Sequence, residues 1–332
     1  MRVLVTGGAG YIGSHMVRQL VDSGHDVAVV DNVSRGHREA VPAHVPFHQL
    51  DIRDTPGLER VMRGHDVDTV MHFAALAYVG ESIHKPDEYY RTNAGGSICL
   101  LEAMDGAGVK RLVFSSTCAT YGEPERLPIE ESFPQLPINP YGRSKLFVEQ
   151  MLRDKVAADP SFGFVALRYF NVAGCSLDGS CGEDHDPETH LIPILLQVAL
   201  GQRESVTVFG TDYPTPDGTC IRDYIHVEDL CAAHLAAGAK VEPGQAHFYN
   251  LGIGRGYSIR EVLDSVRRVT GKSIATKYGD RRPGDPAILY ADAQKANREL
   301  AWTPQTRELD AIISSAWAWF RAHPCGYARE LV

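Results

Sequence analysis

Several features that direct a protein to a nucleic acid or a membrane are missing from this sequence of 332 residues. Basic residues are in the minority, with 33 lysines and arginines against 42 aspartates and glutamates. This balance argues against a nucleic-acid partner or a polybasic membrane contact. No stretch approaches the roughly 20 consecutive apolar residues of a membrane-spanning helix. We also expect no signal peptide, because glycines at positions 7 and 8 interrupt the first apolar run.

Cysteine is sparse and irregularly placed. The seven cysteines are odd in number, and no two of them form a CxxC pair. Such usage is typical of a reducing compartment, so we expect a cytoplasmic protein with free thiols. Cys175, Cys181, His185 and His190 lie close together in the sequence, but their spacing matches no zinc pattern. The sequence therefore predicts no metal site.

The first half of the chain alternates apolar runs with helical patterns. This alternation predicts an α/β fold with a doubly wound parallel sheet of the Rossmann type. The runs are nearly all apolar, as in strands that are covered on both faces. Strands are predicted over 2–6, 26–31, 45–50, 68–73, 112–116 and 164–167, and helices over 11–22, 58–63, 86–107 and 140–156.

After residue 171 the alternation becomes less regular. Short strands are predicted over 206–209 and 248–251, and helices over 190–201, 227–239, 309–323 and downstream of a capping box at Ser258 and Glu261. We predict a dinucleotide-binding Rossmann domain over 1–170. A smaller α/β C-terminal substrate lobe takes up most of 171–332, with some segments returning to the first domain. Sites in such sheets lie at the carboxyl ends of the strands.

A glycine-rich loop follows the first predicted strand. Gly7, Gly10 and Gly13 are spaced so that two allow a tight turn and close backbone approach, and the third lets the next helix pack on the sheet. The start of that helix then faces a pyrophosphate. Asp31, at the end of the second strand, would accept hydrogen bonds from ribose hydroxyls and repel a 2′-phosphate, which favours NAD over NADP. Arg35 lies nearby in the sequence. It either favours the 2′-phosphate of NADP, against the choice of NAD, or is merely a solvated loop cation.

Tyr141 and Lys145 stand four residues apart within a predicted helix. Residues at this spacing share a face, so the two side chains should point the same way. Free tyrosine has a pKa near ~10, and a neighbouring ammonium favours the phenolate. Thr117, which follows the strand over 112–116, is placed to bind a substrate oxygen and relay its proton to Tyr141. These residues predict a base, its activating cation and an orienting hydroxyl beside a nicotinamide.

With these residues the sequence resembles the extended short-chain dehydrogenase/reductase superfamily, and within it the UDP-glucose 4-epimerase family. The resemblance runs nearly end to end. Its landmarks are TGGAGYIGSH (6–15), DN (31–32), DIRD (51–54), HFAALAYVGES (72–82), FSSTCATYG (114–122), NPYGRSK (139–145), LRYFNVAG (167–174), RDYIHVEDL (222–230), YNLG (249–252) and RRPGD (281–285).

The resemblance implies an isomerase of galactose metabolism that interconverts UDP-glucose and UDP-galactose. Tyr141 would take the proton of the 4-hydroxyl while hydride passes from carbon 4 to NAD. The 4-keto sugar would then turn about its pyrophosphate linkage and receive the hydride on its other face, so that NAD is regenerated in each cycle. A homodimer is implied as well, through the helices over 86–107 and 140–156.

The resemblance also implies which residues contact the two ligands. Besides the three glycines, NAD would contact Tyr11, Ile12, Asp31, Asn32, Asp51, Ile52, Phe73, Ala74, Ala75, Asn93, Ser115, Tyr141, Lys145, Tyr169 and Phe170. The UDP-sugar would contact Thr117, Tyr141, Asn171, His190, Leu191, Phe209, Arg222, Tyr224, Arg282, Asp285 and Leu289. The arginines suit a diphosphate because guanidinium groups bind it in a bidentate manner. For Asp51, Ile52, Tyr169 and Phe170, a purely structural role stays open.

Four positions depart from the family pattern. Thr117 stands where some members have serine, which keeps the hydroxyl. Ala77 replaces a lysine that can contact the cofactor ribose, which predicts weaker retention of NAD. His190 occupies a position that is often asparagine, as a sugar ligand or as a helix cap. Leu289 stands where a tyrosine or a small residue sets the size of the sugar, and it predicts a preference for plain hexoses over N-acetylated ones.

The same residues argue against other activities of this superfamily. A sugar-nucleotide dehydratase needs an acid pair after the threonine, where this chain has Cys118 and Ala119. A net reductase usually prefers NADPH, which Asp31 disfavours. UDP-glucuronic acid, UDP-N-acetylglucosamine and UDP-pentoses stay open as alternative substrates. A non-catalytic NAD-binding sensor is more remote, because such proteins typically lack the tyrosine–lysine pair.

Overall fold

The computed structural model describes residues 1–282 and 285–327. In the first half, the strands are β1 (Arg2–Thr6), β2 (Asp26–Asp31), β3 (Phe47–Gln49), β4 (Thr69–His72), β5 (Arg111–Thr117) and β6 (Gly163–Tyr169). The helices are α1 (Tyr11–Asp22), α2 (Thr55–Gly64), α3 (Val79–His84), α4 (Pro86–Tyr89), α5 (Gly96–Ala107) and α6 (Pro140–Ala158). Short 3₁₀ turns occupy Arg38–Ala40 and Cys118–Thr120.

The second half adds shorter strands and further helices. The strands are β7 (Asn171–Ala173), β8 (Val206–Phe209), β9 (Ile221–Arg222), β10 (Tyr224–His226), β11 (Ala246–Leu251), β12 (Tyr257–Ser258), β13 (Thr276–Gly279) and β14 (Ile288–Leu289). The helices are α7 (Leu191–Ala199), α8 (Val227–Lys240), α9 (Ile259–Thr270), α10 (Gln294–Glu299) and α11 (Leu309–Ala322).

A parallel sheet forms the centre of the protein. Within the described residues its seven strands lie in the order β3-β2-β1-β4-β5-β6-β11, and every neighbouring pair is parallel. The chain moves outward from β1 to β3 on one side and from β4 onward on the other. A crevice opens at the carboxyl ends of the strands where the direction reverses, which is where ligands bind in such sheets. The predicted doubly wound fold is confirmed.

Apolar layers cover both faces of this sheet. On one face Met16 and Leu20 of α1 pack with Leu230 and Ala233 of α8. On the other face the apolar layer comes from α2, α5 and α6, with side chains such as Leu58, Leu100, Met104, Val148 and Leu152. Burial on both sides is the reason that the strands are apolar almost throughout. None of the helices in the described ranges combines the length and apolar character that crossing a bilayer requires.

The helix predicted over 86–107 is interrupted. It consists of α4, a π-helical turn over Tyr90–Gly95, and α5. A π turn inserts an extra residue into the helix and is frequent at functional sites. Here it contains Asn93, whose side chain reaches two neighbouring segments, as described below. Hydrophobic periodicity does not reveal such a turn.

Two other differences concern helix starts in the first half. Helix α2 begins at Thr55, three residues earlier than predicted, because the Asp54 side chain accepts a hydrogen bond from Gly57 N at 3.0 Å and Pro56 occupies the first turn. Helix α3 was not predicted. The capping box at Ser258 is present and opens α9 as predicted.

The C-terminal half contributes to both regions of the molecule. Strand β11 extends the central sheet beside β6. The pairs β7–β10 and β8–β13 and the triplet β12-β9-β14 form small sheets among the described residues. Helices α7, α9 and α11 enclose a separate apolar core that includes Trp317, Trp319 and Phe320.

Candidate active site

The glycine loop leaves room for a phosphate group beside the start of α1. Gly7 has a φ of +74°, and a Cβ there would lie 2.5 Å from Ala74 N. A Cβ on Gly13 would collide with the carbonyl of Gly7, whereas one on Gly10 would meet only Gly7 O, at 3.4 Å. The first backbone N–H groups of α1, from Tyr11 and Ile12 onward, lack partners within the helix and face this opening. The loop therefore fits a dinucleotide pyrophosphate.

Asp31 lies at the end of β2 and fixes the loop. Its Oδ2 accepts a hydrogen bond from Ala9 N at 2.9 Å, and its Oδ1 accepts one from Val33 N at 2.8 Å. Each oxygen keeps a second lone pair for a ribose hydroxyl. Arg35 contacts Glu81 at 3.0 Å and lies over the Tyr78 ring at 5.0 Å. Glu81 thus balances the charge of Arg35, so Arg35 is less suited to bind the 2′-phosphate of NADP.

The predicted adenine contacts lie at the neighbouring strand end. Asn32 donates a hydrogen bond from Nδ2 to Asp51 at 3.1 Å. Arg53 binds both oxygens of Asp51 at 2.7 Å, and hydrogen bonds from Arg53 hold the pKa of Asp51 well below its usual range. Ile52 is buried and lies against Gly96 of α5. These residues form one side of the crevice, and their contact with adenine stays a prediction.

Asn93 joins the segment after β4 to the helix that carries Tyr141. Its carbonyl accepts from Leu76 N at 2.8 Å, and its amide donates to Leu76 O and to Ser144 Oγ, each at 2.9 Å. Both amide hydrogens are therefore used within the protein. Phe73, Ala74 and Ala75 lead from β4 into the segment that this side chain holds. These bonds make Asn93 a positioning residue, and its contact with NAD stays a prediction.

Tyr141 and Lys145 occupy the first turns of α6. The helix is capped by Asn139, which accepts a hydrogen bond from Gly142 N at 2.8 Å. Both side chains are buried, as are Ser115 and Thr117 at the end of β5. The Lys145 ammonium donates to Ser115 O at 2.8 Å and lies 4.9 Å from the centre of the Phe114 ring. The structure thus brings together the predicted base, its lysine and the two hydroxyl-bearing residues.

The protein surroundings do not favour the tyrosinate by themselves. Burial raises the pKa of Tyr141 to about 12, and the Thr117 hydroxyl acts in the opposite direction. Burial also lowers the pKa of Lys145 to about 7, against an opposing effect of Glu149. Sequence reasoning expected the ammonium to lower the pKa of Tyr141. That expectation included the positive charge of a bound nicotinamide ring, and it stays a prediction, because burial is the largest effect of the protein groups alone on both side chains.

A buried ion pair that sequence reasoning missed lies behind these residues. Arg168 of β6 donates to both oxygens of Glu149 on α6, at 2.9 and 2.6 Å. Glu149 also accepts from Ser116 Oγ at 2.6 Å, and Arg168 donates to Tyr121 Oη at 2.7 Å. This network connects α6 to β5 and β6. A single arginine within an apolar strand was the available signal, because a buried guanidinium requires a carboxylate.

The predicted nicotinamide wall lies at the ends of β5 and β6. Tyr169 forms a short hydrogen bond through its hydroxyl with Ser115 Oγ, and its ring lies 6.0 Å from that of His234. Phe170 packs in an apolar cluster with Leu289 and Tyr121. The predicted cofactor wall and the predicted sugar gate are therefore in the same cluster. Both alternatives for Tyr169 and Phe170, core residue and pocket residue, are compatible with these contacts.

The predicted diphosphate-binding residues come together in the C-terminal lobe. Arg222 forms an ion pair with Asp285, and Arg282 lies 3.1 Å from the same carboxylate. The Arg282 guanidinium also lies 5.0 Å from the centre of the Phe209 ring. Leu289 of β14 is paired with Arg222 of β9 in parallel register. Pro283 and Gly284 of the RRPGD motif lie outside the described residues.

The remaining predicted substrate residues lie on β7, β10 and α7. Asn171 is exposed and pairs with Tyr224 in the β7–β10 sheet. Its backbone N–H donates to Asp223 O at 3.0 Å. Leu191 is the first residue of α7, and His190 precedes it without a side-chain hydrogen bond to the helix backbone. The predicted capping role of His190 is therefore wrong, because its ring is directed to Glu183 and Glu188 instead.

The four residues that were considered for a metal site do not come together. Cys181 lies beside His15, Ser14 and Tyr327. The backbone N–H of Cys175 donates a hydrogen bond to Ser315 Oγ at 3.1 Å. His185 and His190 instead meet two glutamates that sequence reasoning missed, Glu183 and Glu188. The relevant signal was the spacing of the alternating residues in EDHDPETH, where acids and histidines interleave.

Comparison with known proteins points to one group. Residues 3–252 match the model of the NAD dependent epimerase/dehydratase family. The chain is 53% identical to a UDP-glucose 4-epimerase of Streptomyces lividans, over 98% of both chains. It is 50% identical to that of Lacticaseibacillus casei, over 98% of this chain and 99% of the other. A solved UDP-glucose 4-epimerase of Bifidobacterium longum, in complex with NAD⁺ and UDP, matches with a TM-score of 0.94 at 42% identity, covering 98% of this chain and 99% of that one.

Proposed function

This chain belongs to the NAD dependent epimerase/dehydratase family, and within it to the UDP-glucose 4-epimerases, and from this we propose that it interconverts UDP-glucose and UDP-galactose. The protein is an isomerase that uses NAD and acts on a UDP-hexose. The observation that carries the assignment to this site is the convergence of Tyr141, Lys145 and Thr117 beside the glycine loop. The segment after β4 lies against Gly7 through Ala74, and the Leu76–Asn93–Ser144 contacts join that segment to α6.

In the proposed reaction, Tyr141 Oη accepts the proton of the sugar 4-hydroxyl and later returns it. Bound NAD supplies the hydride acceptor at carbon 4. Lys145 keeps its ammonium beside the end of β5 through Ser115 O, so its charge favours the tyrosinate. Thr117 offers a hydroxyl between Tyr141 and the substrate oxygen. Burial of all three side chains excludes water from the ketone intermediate.

The nucleotide is proposed to bind in the C-terminal lobe. Arg222 and Arg282 face the same Asp285 carboxylate, so their charges are only partly balanced by it. Two guanidinium groups can hold a diphosphate by bidentate hydrogen bonds. Asn171, Leu191, Phe209 and Tyr224 are proposed to contact the rest of the nucleotide. In this division, residues 1–170 hold NAD and residues 171–332 mainly hold the UDP-sugar.

The choice among UDP-hexoses is proposed from Leu289. Its side chain is 8% exposed and packs with Phe170. Leucine fills more of this wall than serine or cysteine would, which disfavours an N-acetyl group. It offers no hydrogen bond to a carboxylate, so UDP-glucuronic acid gains nothing from this position.

The experiment is turnover of each candidate substrate by the purified protein. UDP-glucose, UDP-galactose, UDP-N-acetylglucosamine, UDP-glucuronic acid and a UDP-pentose are incubated separately, and the products are separated by chromatography. We expect interconversion of UDP-glucose and UDP-galactose without added oxidant or net formation of NADH. If turnover is confined to UDP-glucuronic acid, the N-acetylated sugar or the pentose, that sugar would replace UDP-glucose and UDP-galactose as the proposed substrate. NAD binding without turnover of any sugar would favour the non-catalytic sensor.

We also propose a homodimer that resides in the cytoplasm. Ile98 on α5 and Phe147 on α6 are each 45% exposed, and the Phe147 ring stacks on Tyr90 with 5.7 Å between ring centres. An apolar patch on two neighbouring helices is a plausible surface for a second copy. The seven cysteines, all within the described residues, are free thiols, which fits a reducing compartment.

A further inference from the structure

A cluster of two histidines and two glutamates precedes helix α7. Glu183, His185, Glu188 and His190 each offer one ligand atom, and these four atoms lie within 4.8 Å of one another. The cluster is outside the proposed hydride and proton transfer chemistry. Glu183 and Glu188 are buried, and His185 is largely so. We propose that these four side chains form a tetrahedral site for a divalent first-row transition metal, with zinc as the best fit.

The distances between the ligand atoms carry this proposal. His190 Nδ1 lies 3.1 Å from Glu183 Oε1 and 3.0 Å from Glu188 Oε1. His185 Nδ1 lies 3.3 Å from Glu183 Oε1 and 3.4 Å from Glu188 Oε2. Four ligands at about 2.0–2.1 Å from a tetrahedral zinc ion are separated by about 3.3 Å. The four nitrogen–oxygen separations, 3.0–3.4 Å, are close to this value, with Glu188 facing His190 through Oε1 and His185 through Oε2.

The state of Glu183 provides a second, independent observation. Its Oε1 atom is buried and accepts no hydrogen bond from the described residues, although it points at both imidazole nitrogens. A buried carboxylate oxygen without a hydrogen-bond partner is costly. A metal ion between the four side chains would coordinate this oxygen directly. Glu188, in contrast, also accepts from the backbone N–H groups of Thr189 and His190, each at 2.7 Å, and these bonds orient it as a ligand.

The donor set favours zinc and indicates a structural role. Two imidazoles with two carboxylates suit zinc better than calcium or magnesium, which take oxygen ligands. Four protein ligands leave no open position for substrate, so the metal would hold structure rather than take part in the reaction. The ring of His185 lies 6.1 Å from that of Tyr11, which begins α1 directly after the glycine loop, and the ring of Tyr78 lies 5.9 Å from that of His190. The ion would therefore fix the segment before α7 against the cofactor loop.

The first test is the metal content of the wild-type protein, purified without a histidine tag or chelator. We expect about one equivalent of zinc per chain by elemental mass spectrometry. After removal of zinc, one equivalent of Co²⁺ should produce the visible spectrum of four-coordinate cobalt. Crystals should show an anomalous peak at the zinc edge between the four side chains. Less than about a tenth of an equivalent, together with no uptake of Co²⁺, would overturn the proposal and leave two histidinium–glutamate ion pairs in its place.

Variants test the assignment of the ligands. His185→Gln and Glu188→Gln should each weaken zinc binding by at least about 100-fold, since even loss of an outer-shell partner costs 10–100-fold. His84→Gln is the matched control, because His84 is exposed and lies outside the cluster. Equal retention of zinc by all variants would place the ion elsewhere and overturn the site. If a variant does not fold, the anomalous peak of the wild type decides. None of these measurements depends on epimerase activity.

Discussion

Tyr141 would carry the transferred proton, yet its protein surroundings favour the neutral phenol. Burial raises its pKa to about 12, and the same burial lowers the pKa of Lys145 to about 7. With a pKa near neutral pH, Lys145 can gain or lose its proton easily. Its ammonium and the tyrosinate stabilise each other only when both groups are ionised. The proposed base depends on positive charge that the neighbouring groups and the bound nicotinamide bring close to it.

Removal of the phenolic oxygen tests the base. Tyr141→Phe keeps the ring packed against Tyr89, with 6.5 Å between ring centres, but it cannot accept a proton. We expect turnover to fall by at least about 10²-fold, the usual scale of lost acid–base catalysis, while UDP affinity is kept. Turnover and calorimetric titration with UDP measure the two quantities. Tyr278→Phe, at an exposed tyrosine, is the control, and activity of Tyr141→Phe within a few-fold of wild type would contradict the assignment.

The dependence of turnover on pH tests the lysine. In Lys145→Met the ammonium is gone, and burial keeps the pKa of Tyr141 high. A higher pKa means that the tyrosinate forms only at higher pH, so the acid limb of the kcat profile should move upward. We expect turnover at pH 7 to fall by at least about 100-fold and to recover in part as the pH is raised. Lys240→Met serves as the control. If turnover of Lys145→Met is reduced by the same factor at all pH values, Lys145 does not act through the ionisation of Tyr141.

Cofactor choice depends on Asp31 together with the Arg35–Glu81 pair. Asp31→Asn keeps the size of the side chain but removes its charge. The Kd for NAD should rise about 10-fold, because hydrogen bonds to a charged group contribute about 1.5–3 kcal/mol. Addition of Glu81→Gln releases Arg35 and should lower the Kd for NADP by a further several-fold. Fluorescence titration with each dinucleotide measures the two Kd values, and Glu88→Gln is the control. Equal affinity of the wild type for both dinucleotides would refute the role of Asp31.

At the scale of elements, short connections decide where the substrate residues lie. The two-residue strand β14 pairs with β9, and this register places Leu289 beside Arg222. Strands of this length carry almost no sequence pattern of their own. The π turn over Tyr90–Gly95 acts similarly on the other side of the crevice, because it directs Asn93 to Leu76 and Ser144.

The proposed sugar gate is tested on β14. Leu289→Ser shortens the side chain beside Phe170 and should raise turnover of UDP-N-acetylglucosamine relative to UDP-glucose. One pocket contact of this kind is worth about 1–3 kcal/mol, or roughly 10–200-fold in the ratio of kcat/KM. The measurement is kcat/KM for both sugars in wild type and variant. Ile129→Val, in the same apolar cluster, is the control for general loosening. An unchanged ratio in Leu289→Ser would mean that another residue sets sugar size.

At the scale of the whole molecule, the central sheet fixes one side of the crevice and the C-terminal lobe fixes the other. Strand β11 and helix α8 belong to the second half of the sequence but pack on the first. The buried Glu149–Arg168 pair connects the helix of Tyr141 to the sheet. Breaking such a pair by removing one partner is strongly destabilising. The position of the proposed base is therefore tied to the stability of the entire domain.

The proposed dimer is tested at the exposed helical patch. Phe147→Asp places a charge on the surface formed by α5 and α6, and burial of that charge against a second copy is unfavourable. We expect the wild type to have twice the mass of one chain by light scattering and the variant to have the mass of one chain. Leu177→Asp, at an equally apolar position that is 68% exposed, should leave the mass unchanged. A wild type with the mass of one chain would exclude the dimer.

The amino-acid sequence by itself determined the doubly wound sheet, the glycine loop and the pairing of Tyr141 with Lys145. These features depend on contacts between residues that are close in the chain, or on strands that are apolar because both faces are covered. Asp31 could be placed for the same reason, since it directly ends the second strand.

Only the tertiary structure decided the burial of Tyr141, the partners of Arg35 and Arg168, and the meeting of His185 and His190 with two glutamates. Each of these depends on groups from distant segments that share one buried volume. Desolvation, ion pairing and ligand geometry vary steeply with distance and burial. A linear sequence specifies neither quantity, which is why it grouped His185 and His190 with two cysteines, whereas the fold places them beside Glu183 and Glu188.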